Sequence, residues 1–137
     1  MRTSKARGLR NCNPGNIRRS SDHFQGEVKS DDKEFKRFET MAHGYRAMMR
    51  ILRNYQKRYQ LRTIEQIIGR WAPHNENNTE AYVASVESYT GIPRGKEINI
   101  DDRETLCKLV AAMSQVENGV RAVDSEVSDG YELLMRL

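Results

Sequence analysis

The sequence is poor in several features that would each indicate a particular class of protein. Among its 137 residues there are two cysteines, three histidines, three prolines and one tryptophan. No apolar run approaches the roughly 20 residues that a membrane-spanning helix needs. The basic start, MRTSKARGLR, is not followed by an apolar segment, so it lacks the pattern of a secretory signal peptide. We therefore expect no membrane span and no signal peptide.

The cysteines and histidines do not have the spacing of a metal site. Cys12 and Cys107 form no CxxC pair, and the histidines form no HxxxH pair. A chain without an export signal stays in a reducing compartment, so we expect both cysteines to be free thiols. We also predict that the protein binds no metal ion and no other cofactor.

Length and charge predict one domain that spans residues 1–137. A chain of 137 residues buries roughly two-thirds of its unfolded surface, which is enough for a core. The net charge is +4, and six of the first twenty residues are Lys or Arg. This basic start either attracts a polyanion or is a solvated arm that is flexible over residues 1–8. It lacks interleaved aromatic residues and any recognised motif, so we predict no specific nucleic-acid partner.

Strand signals are few and lie near the N-terminus. The segment NCNPGN, residues 11–16, is a cluster of turn-forming residues. Two short segments, 23–28 and 34–38, flank KSDDK at residues 29–33, which has the composition of a hairpin loop. The sequence therefore predicts one small N-terminal β-hairpin.

The rest of the chain has helical periodicity, which gives a mostly helical α+β domain. Apolar residues recur every three or four positions, and capping residues precede these runs. The predicted helices begin at or just after Ala42, Thr63, Asn77, Asp101 and Ser128, and the predicted stops of the first four are Gln60, Pro73, Gly91 and Gly119.

One carboxylate is out of place in this pattern. Glu117 follows Met113 by four residues and Val110 by seven, so it lies on or beside the apolar face of its helix. A buried, unpaired carboxyl group tends to stay protonated. Such an acid can protonate a leaving oxygen near neutral pH, which is the step that glycoside cleavage requires. The alternative is a glutamate at the edge of the face, solvated or paired with an arginine.

Three segments resemble a family of small phage and prophage proteins that are described as structural or virion proteins. They are RGLRNCNPGNIRRS, EFKRFETMAHGYRAM and IIGRWAPHNENNTEAYVASV, and the resemblance extends from about Arg7 to Gly119. Cys12 stands where the family has asparagine, and Phe24 stands where it has tryptophan. The resemblance implies a protein found in the host bacterial cytoplasm before release or in the virion, with other virion proteins as possible partners.

A second resemblance is to lysozyme-like cell-wall glucosaminidases and lytic transglycosylases. In those enzymes a helix resembling Ala-Gln-x-x-x-Glu-x-Gly precedes an asparagine-rich turn, a hairpin and a Thr…Tyr segment. Here the similar segment, AAMSQVENG, comes last instead of first. The rotated order implies a circularly permuted lysozyme-like fold, in which the N-terminal hairpin lies near the C-terminal end of the Glu117 helix.

This second resemblance implies an enzyme that cleaves the glycan strand of peptidoglycan, as a hydrolase or a lytic transglycosylase. Glu117 corresponds to the catalytic acid. The alternative is an inactive virion or assembly protein with the same fold. Trp71 either packs in the core or stacks on a sugar. The candidate substrate-binding residues are Thr79, Tyr82, Glu76, Asn11, Asn13 and Asn16, of which the asparagines can instead build a turn and Glu76 can be a solvated charge.

Overall fold

The structure, a computed structural model, describes residues 5–74 and 77–136. Within these ranges the chain forms six α-helices and a two-stranded antiparallel sheet, which confirms the mostly helical α+β class. None of the described helices is long and apolar enough to cross a membrane. In chain order the elements are α1 (Arg7–Arg10), β1 (Glu27–Val28), β2 (Arg37–Phe38), α2 (Met41–Tyr59), α3 (Ile64–Trp71), α4 (Thr79–Thr90), α5 (Arg103–Asn118) and α6 (Asp124–Met135).

The predicted hairpin is present, but its ladder is only two residues long on each strand. Glu27 pairs with Phe38 and Val28 pairs with Arg37. The loop between the strands is held by the Asp32 carboxylate, which accepts hydrogen bonds from the backbone N–H groups of residues 34 and 35. Because side-chain bonds of this kind compete with ladder bonds, the regular pairing stops early.

The helices lie close to their predicted positions, and three starts differ. Asn78, and not Asn77, caps α4, since its side chain accepts from the N–H of Ala81. Asp102, one residue after the predicted cap, accepts from the N–H of Thr105 at the start of α5. The sixth helix begins at Asp124, four residues before its predicted start. Ser128 is therefore inside α6, where its hydroxyl accepts a hydrogen bond from Arg103.

The core forms around α2, which packs most extensively against α6. The two helices approach closely at Gly130, where an added Cβ would lie 2.8 Å from the Cβ of Tyr45 and 2.9 Å from the carbonyl oxygen of Ala42. The fully buried residues of α2 are Tyr45, Ala47, Met48, Met49 and Leu52, and they meet Ile64, Ile67, Ile68, Leu109, Val110 and Met113 in one cluster.

The N-terminal segment contacts the hairpin loop from Arg7 onward. Arg7 opens α1 and forms two hydrogen bonds of 2.6 and 2.7 Å with the carboxylate of Asp32. Gly8 is buried. A two-pronged guanidinium–carboxylate contact fixes geometry as well as charge, so it holds this segment against the hairpin loop. Residues 1–4 lie outside the described residues.

Candidate functional site

Glu117 lies in the last turn of α5, where the helix meets the N-terminal turn. The helix ends at Gly119, which takes the left-handed conformation at φ 73° and donates its N–H to the carbonyl of Gln115. Asn118, the residue after Glu117, donates a 2.9 Å hydrogen bond to the carbonyl oxygen of Pro14. The turn of residues 11–16 is thereby attached to the end of α5.

The Glu117 carboxylate accepts hydrogen bonds from two neutral donors. The amide nitrogen of Asn16 lies 2.9 Å from Oε1, and the hydroxyl of Tyr82 lies 2.9 Å from Oε2. The side chain is partly buried and lies next to the N-terminal turn.

Tyr82 reaches Glu117 from α4 and is itself buried. Burial and the negative charge of Glu117 raise the pKa of Tyr82 well above its ordinary value. Tyr82 consequently keeps its proton at neutral pH and acts as a permanent hydrogen-bond donor to the carboxylate.

Asn16 is placed by an unusual backbone conformation. Its φ is 49°, in the left-handed region that asparagine tolerates better than most residues. Its backbone N–H donates to the carbonyl of Asn13, which closes the turn. Asn13 is fully buried, and its side chain donates to the carbonyls of Ile17 and Lys36. The turn is thus fixed from inside, and Asn16 projects its amide toward Glu117.

Glu117 borders a groove with a volume of about 340 Å³. The residues of the groove come from the N-terminal turn, the segment around Phe35, α2, α3 and the chain after α3. Trp71 is half-buried, and its ring meets that of Tyr55 edge-on at a centroid distance of 6.4 Å. It therefore packs on one side and faces the groove on another. The described lining comprises Gly15, Asn16, Ile17, Arg18, Phe35, Ile51, Tyr55, Arg70, Trp71, Ala72, Pro73, Asn77 and Glu117.

A larger concavity of about 980 Å³ lies along α5 and α6, but its chemistry is less suited to a reaction. Asp102 in its wall caps α5 and is occupied by Thr105. Glu104 pairs with Lys108 at 3.3 Å on the exposed helix surface. The third carboxylate of this wall, Asp124, is exposed in the first turn of α6. Glu117, in contrast, is partly buried beside a groove, so we place the candidate site at Glu117.

Three predicted substrate-binding residues have structural roles instead. Thr79 is buried and its hydroxyl donates to the carbonyl of Ala72. Asn11 is buried and its amide donates to Asp32 at 3.1 Å. The side chains of Thr79, Asn11 and Asn13 form hydrogen bonds that hold the N-terminal turn and the start of α4. None of the three lines the groove. Glu76 lies outside the described residues.

Sequence reasoning missed most of the groove wall. Tyr55 occurs at helical spacing with the apolar residues of α2, yet it is only half-buried and lines the groove with Phe35 and two arginines, Arg18 and Arg70. The available signal was that tyrosine carries a polar end that seeks water or a partner. An apolar helix face that contains Tyr55 and Tyr59 is therefore a candidate for the edge of the core as well as for its interior.

The described residues offer no obvious metal site. Among residues 5–74 and 77–136, no group of three or more His, Cys, Asp or Glu side chains is arranged to hold a metal ion. Cys12 and Cys107 are free and half-buried, as expected. Burial raises the pKa of the Cys107 thiol, which favours its protonated form.

The sequence is similar to one phage protein over nearly its whole length. No protein-family model matches the chain. It is 46% identical over 132 residues to Protein P5 of Pseudoalteromonas phage PM2, an alignment that covers 93% of this chain and 81% of the relative. The name of the relative states neither an activity nor a ligand.

Proposed function

We propose that this chain, which belongs to the family of Protein P5 of Pseudoalteromonas phage PM2, is a phage protein that cleaves the glycan strands of bacterial peptidoglycan. Glu117 is the general acid of the proposed reaction. The observation that supports this most strongly is the position of its carboxyl group, partly buried at the edge of a groove.

The proposed first step is proton transfer from Glu117 to the leaving glycosidic oxygen as its bond to the sugar carbon breaks. The resulting carboxylate remains bonded to Asn16 and Tyr82. Hydrogen bonds to an ionised acceptor are stronger than those to a neutral one, so both donors stabilise the group after it has lost its proton. Asn16 and Tyr82 act as positioning residues in this scheme, because they fix the carboxyl oxygens and do not need to touch the sugar.

The second step has two possible nucleophiles. Glu117 is the only carboxylate among the described lining residues, so these residues supply no second carboxylate to form a glycosyl-enzyme bond. Either the 6-hydroxyl of the sugar attacks its own anomeric carbon, as in lytic transglycosylases, or a water molecule attacks. In both routes the Glu117 carboxylate takes up the proton that the nucleophile loses, which restores the acid. The products distinguish the two routes, since the first leaves a 1,6-anhydro end and the second leaves a reducing end.

The walls of the groove suit a sugar polymer. Trp71 and Tyr55 present aromatic surface, on which the apolar faces of sugar rings can pack. The N-terminal turn and the segment around Phe35 also line the groove. The contact of Asn16 in this turn with Glu117 in α5 supports the proposed permuted lysozyme-like fold, because it brings the N-terminal turn to the Glu117 helix.

The second candidate is a virion or assembly component without enzymatic activity. The observation that favours it is the relative, a phage protein whose name states no activity. In both cases the protein is proposed to be made in the host cytoplasm and to leave it in a virion or at lysis.

Clearing of a peptidoglycan suspension tests the first proposal against the second. We expect the purified protein to reduce turbidity and to release soluble muropeptides. Inactivity on peptidoglycan from several bacteria, with a folded protein confirmed by a cooperative melting transition, would contradict the enzyme and favour the virion component.

A further inference from the structure

Helix α2 carries several cations and no acid. Its 19 residues, Met41–Tyr59, include five Lys or Arg residues and neither Asp nor Glu. Residues 46–70, which extend from this helix into α3, contain seven Lys or Arg and a single acid. Their formal charge of +6 therefore exceeds the +4 of the whole chain. The positive charge of the protein is concentrated on this helix and on the segment after it.

Four of these cations form one row along α2, which we call the basic ridge. They are Arg46, Arg50, Arg53 and Lys57. Their spacing of four, three and four residues keeps them within a sector of about 60° on a helix with 3.6 residues per turn, and the row is about 16 Å long. Arg50 and Lys57 are exposed, and the other two are half-buried. The ridge is thus a narrow line of positive charge at the surface.

The basic ridge has little compensating charge. Among the described residues, its one ion pair is a 3.6 Å contact of Arg53 with Asp101, whose side chain is 74% exposed. The Nε of Arg46 is buried and has no acceptor in the described part of the chain. Burial and the like charge of Arg50 lower the pKa of Arg46. Like charges four residues apart destabilise a helix, so an anion from outside would relieve a repulsion that the fold leaves in place.

The basic ridge lies on a different side of α2 from the groove beside Glu117. Ile51 and Tyr55 are the α2 residues that line the described groove, and they lie about 100° or more around the helix from every residue of the ridge. A partner bound to the ridge therefore does not have to enter the groove. An inference about this surface goes beyond the proposed function and does not depend on it.

The composition of the basic ridge favours a phosphate polymer over a lipid surface. Helices that lie on membranes place apolar side chains beside their cations, and proteins that bind single strands stack the bases on aromatic rings. None of the exposed large apolar side chains of the described residues lies between Arg46 and Lys57. A DNA duplex, in contrast, carries one negative charge per about 1.7 Å of its axis and can be bound by cations alone.

We propose that the basic ridge binds the phosphates of double-stranded DNA without reading its sequence. Contacts to phosphates provide affinity and position, whereas sequence is read through the edges of the bases. Four cations in one row about 16 Å long match a contact with the backbone. Duplexes of unrelated sequence should therefore bind with equal affinity.

The salt dependence of binding tests this proposal. Fluorescence anisotropy measures binding of the full chain to labelled duplexes of two unrelated sequences at salt concentrations between about 50 and 200 mM. If four phosphates are contacted, the logarithm of the association constant should fall against the logarithm of the salt concentration with a slope of about −3.6, which is about 100-fold over this range. Absence of binding at the lowest salt concentration, or a clear preference for one sequence, would overturn the inference.

Variants assign the binding to the basic ridge. Lys57→Gln should weaken binding to both duplexes and reduce the magnitude of the slope by about one. Arg50→Gln should do the same without lowering the melting temperature, because it removes a like charge four residues from Arg46. Lys29→Gln is the matched control for Lys57→Gln, since Lys29 is exposed and lies outside α2. Equal effects of Lys29→Gln and Lys57→Gln would overturn the inference, because binding would then follow net charge alone.

A lipid surface is the competing partner for the basic ridge. Sedimentation with vesicles of phosphatidylcholine and anionic phosphatidylserine compares it with DNA at the same salt concentration. We expect weaker binding to these vesicles than to DNA. Tighter binding to the vesicles that is lost in Lys57→Gln would assign the ridge to a membrane surface and overturn the proposal.

Discussion

The hydroxyl of Tyr82 in α4 donates a 2.9 Å hydrogen bond to the carboxylate of Glu117 in α5. Tyr82 is buried, and its pKa is raised by burial and by the charge of Glu117. Tyr82 thus donates a hydrogen bond to the carboxylate and does not line the groove. In the proposed mechanism Tyr82 is therefore a positioning residue for Glu117.

Replacing Tyr82 by Phe tests that role. The change removes only the hydroxyl, so Oε2 of Glu117 loses its donor. We expect peptidoglycan cleavage per folded molecule to fall about 10- to 100-fold, because a hydrogen bond to a charged group contributes about 1.5–3 kcal/mol. The effect should appear mainly in kcat, since Tyr82 is not among the described lining residues of the groove.

Tyr45→Phe is the control for this experiment. Tyr45 is also buried, and its hydroxyl lies 2.9 Å from that of Ser114, without contact with Glu117. Tyr45→Phe should lose about 1 kcal/mol of unfolding free energy, typical of a neutral hydrogen bond, and Tyr82→Phe about 1.5–3 kcal/mol, but only Tyr82→Phe should lose activity. Equal activity in the two variants would remove Tyr82 from the mechanism.

Gly8→Ala should destabilise the protein by about 1–3 kcal/mol, the usual cost of overpacking. A Cβ at Gly8 would lie 2.7 Å from the carbonyl oxygen of Asn13 and would also press on the side chains of Asn118 and Asn16. Because Asn16 holds Glu117, activity per folded molecule should fall as well. Thermal melting and turbidity clearing measure the two effects.

Gly69→Ala is the opposite case and provides the control. Gly69 lies inside α3, and nothing lies within 4 Å of the position of an added Cβ. Alanine favours a helix over glycine by about 0.5–1 kcal/mol, so this variant should melt at a higher temperature. Destabilisation by both substitutions to the same extent would show that the crowding at Gly8 is not the cause.

The ion pair of Arg7 and Asp32 predicts a defined acid sensitivity. The hydrogen bonds from Arg7 and from the backbone of Glu34 lower the pKa of Asp32 below its ordinary value. A lowered pKa in the folded state contributes stability that is fully present above the unfolded pKa of about 3.9 and is lost as the pH falls from there toward the folded pKa.

Asp32→Asn should therefore lower the melting temperature at neutral pH and flatten its decline below about pH 4. Asp31→Asn is the matched control, because Asp31 is exposed and its substitution leaves the Arg7 contact intact. Melting curves between pH 7 and pH 2 provide the measurement. If the melting temperature of Asp32→Asn declined with falling pH as steeply as that of the unsubstituted protein, the stabilising role of this pair would be contradicted.

Local signals in the sequence predicted the helices but not all of their ends. Gly91 and Gly119 both take φ 73°, and their freedom to adopt this conformation made the two helix ends predictable. Asn77 and Asn78 are adjacent candidates for one cap, and only the three-dimensional geometry selects the second. The start of α6 at Asp124 has no side-chain cap, but acidic residues in its first turn were an available signal.

The site was predictable only where it depends on one helix or one turn. Glu117 was found by its place in a helical period, and Asn16 by its place among turn-forming residues. The ring stack of Arg70 on Tyr59 joins two helices, so no local pattern indicates it. The anchoring of Arg7 by Asp32 spans 25 residues and was missed for the same reason.

The central claim is that Glu117 donates a proton during glycan cleavage. Glu117→Gln keeps the size of the side chain but supplies no acidic proton. Because the amide oxygen still accepts one of the two hydrogen bonds, from Asn16 or from Tyr82, the variant should remain folded. A cooperative melting transition checks this before activity is compared.

The most direct measurement is the rate of peptidoglycan clearing by the unsubstituted protein and by Glu117→Gln at equal concentrations of folded protein. Loss of a general acid typically costs about 10²-fold or more, so we expect the variant to retain at most about 1% of the rate. A folded variant that clears peptidoglycan at the full rate would contradict the claim.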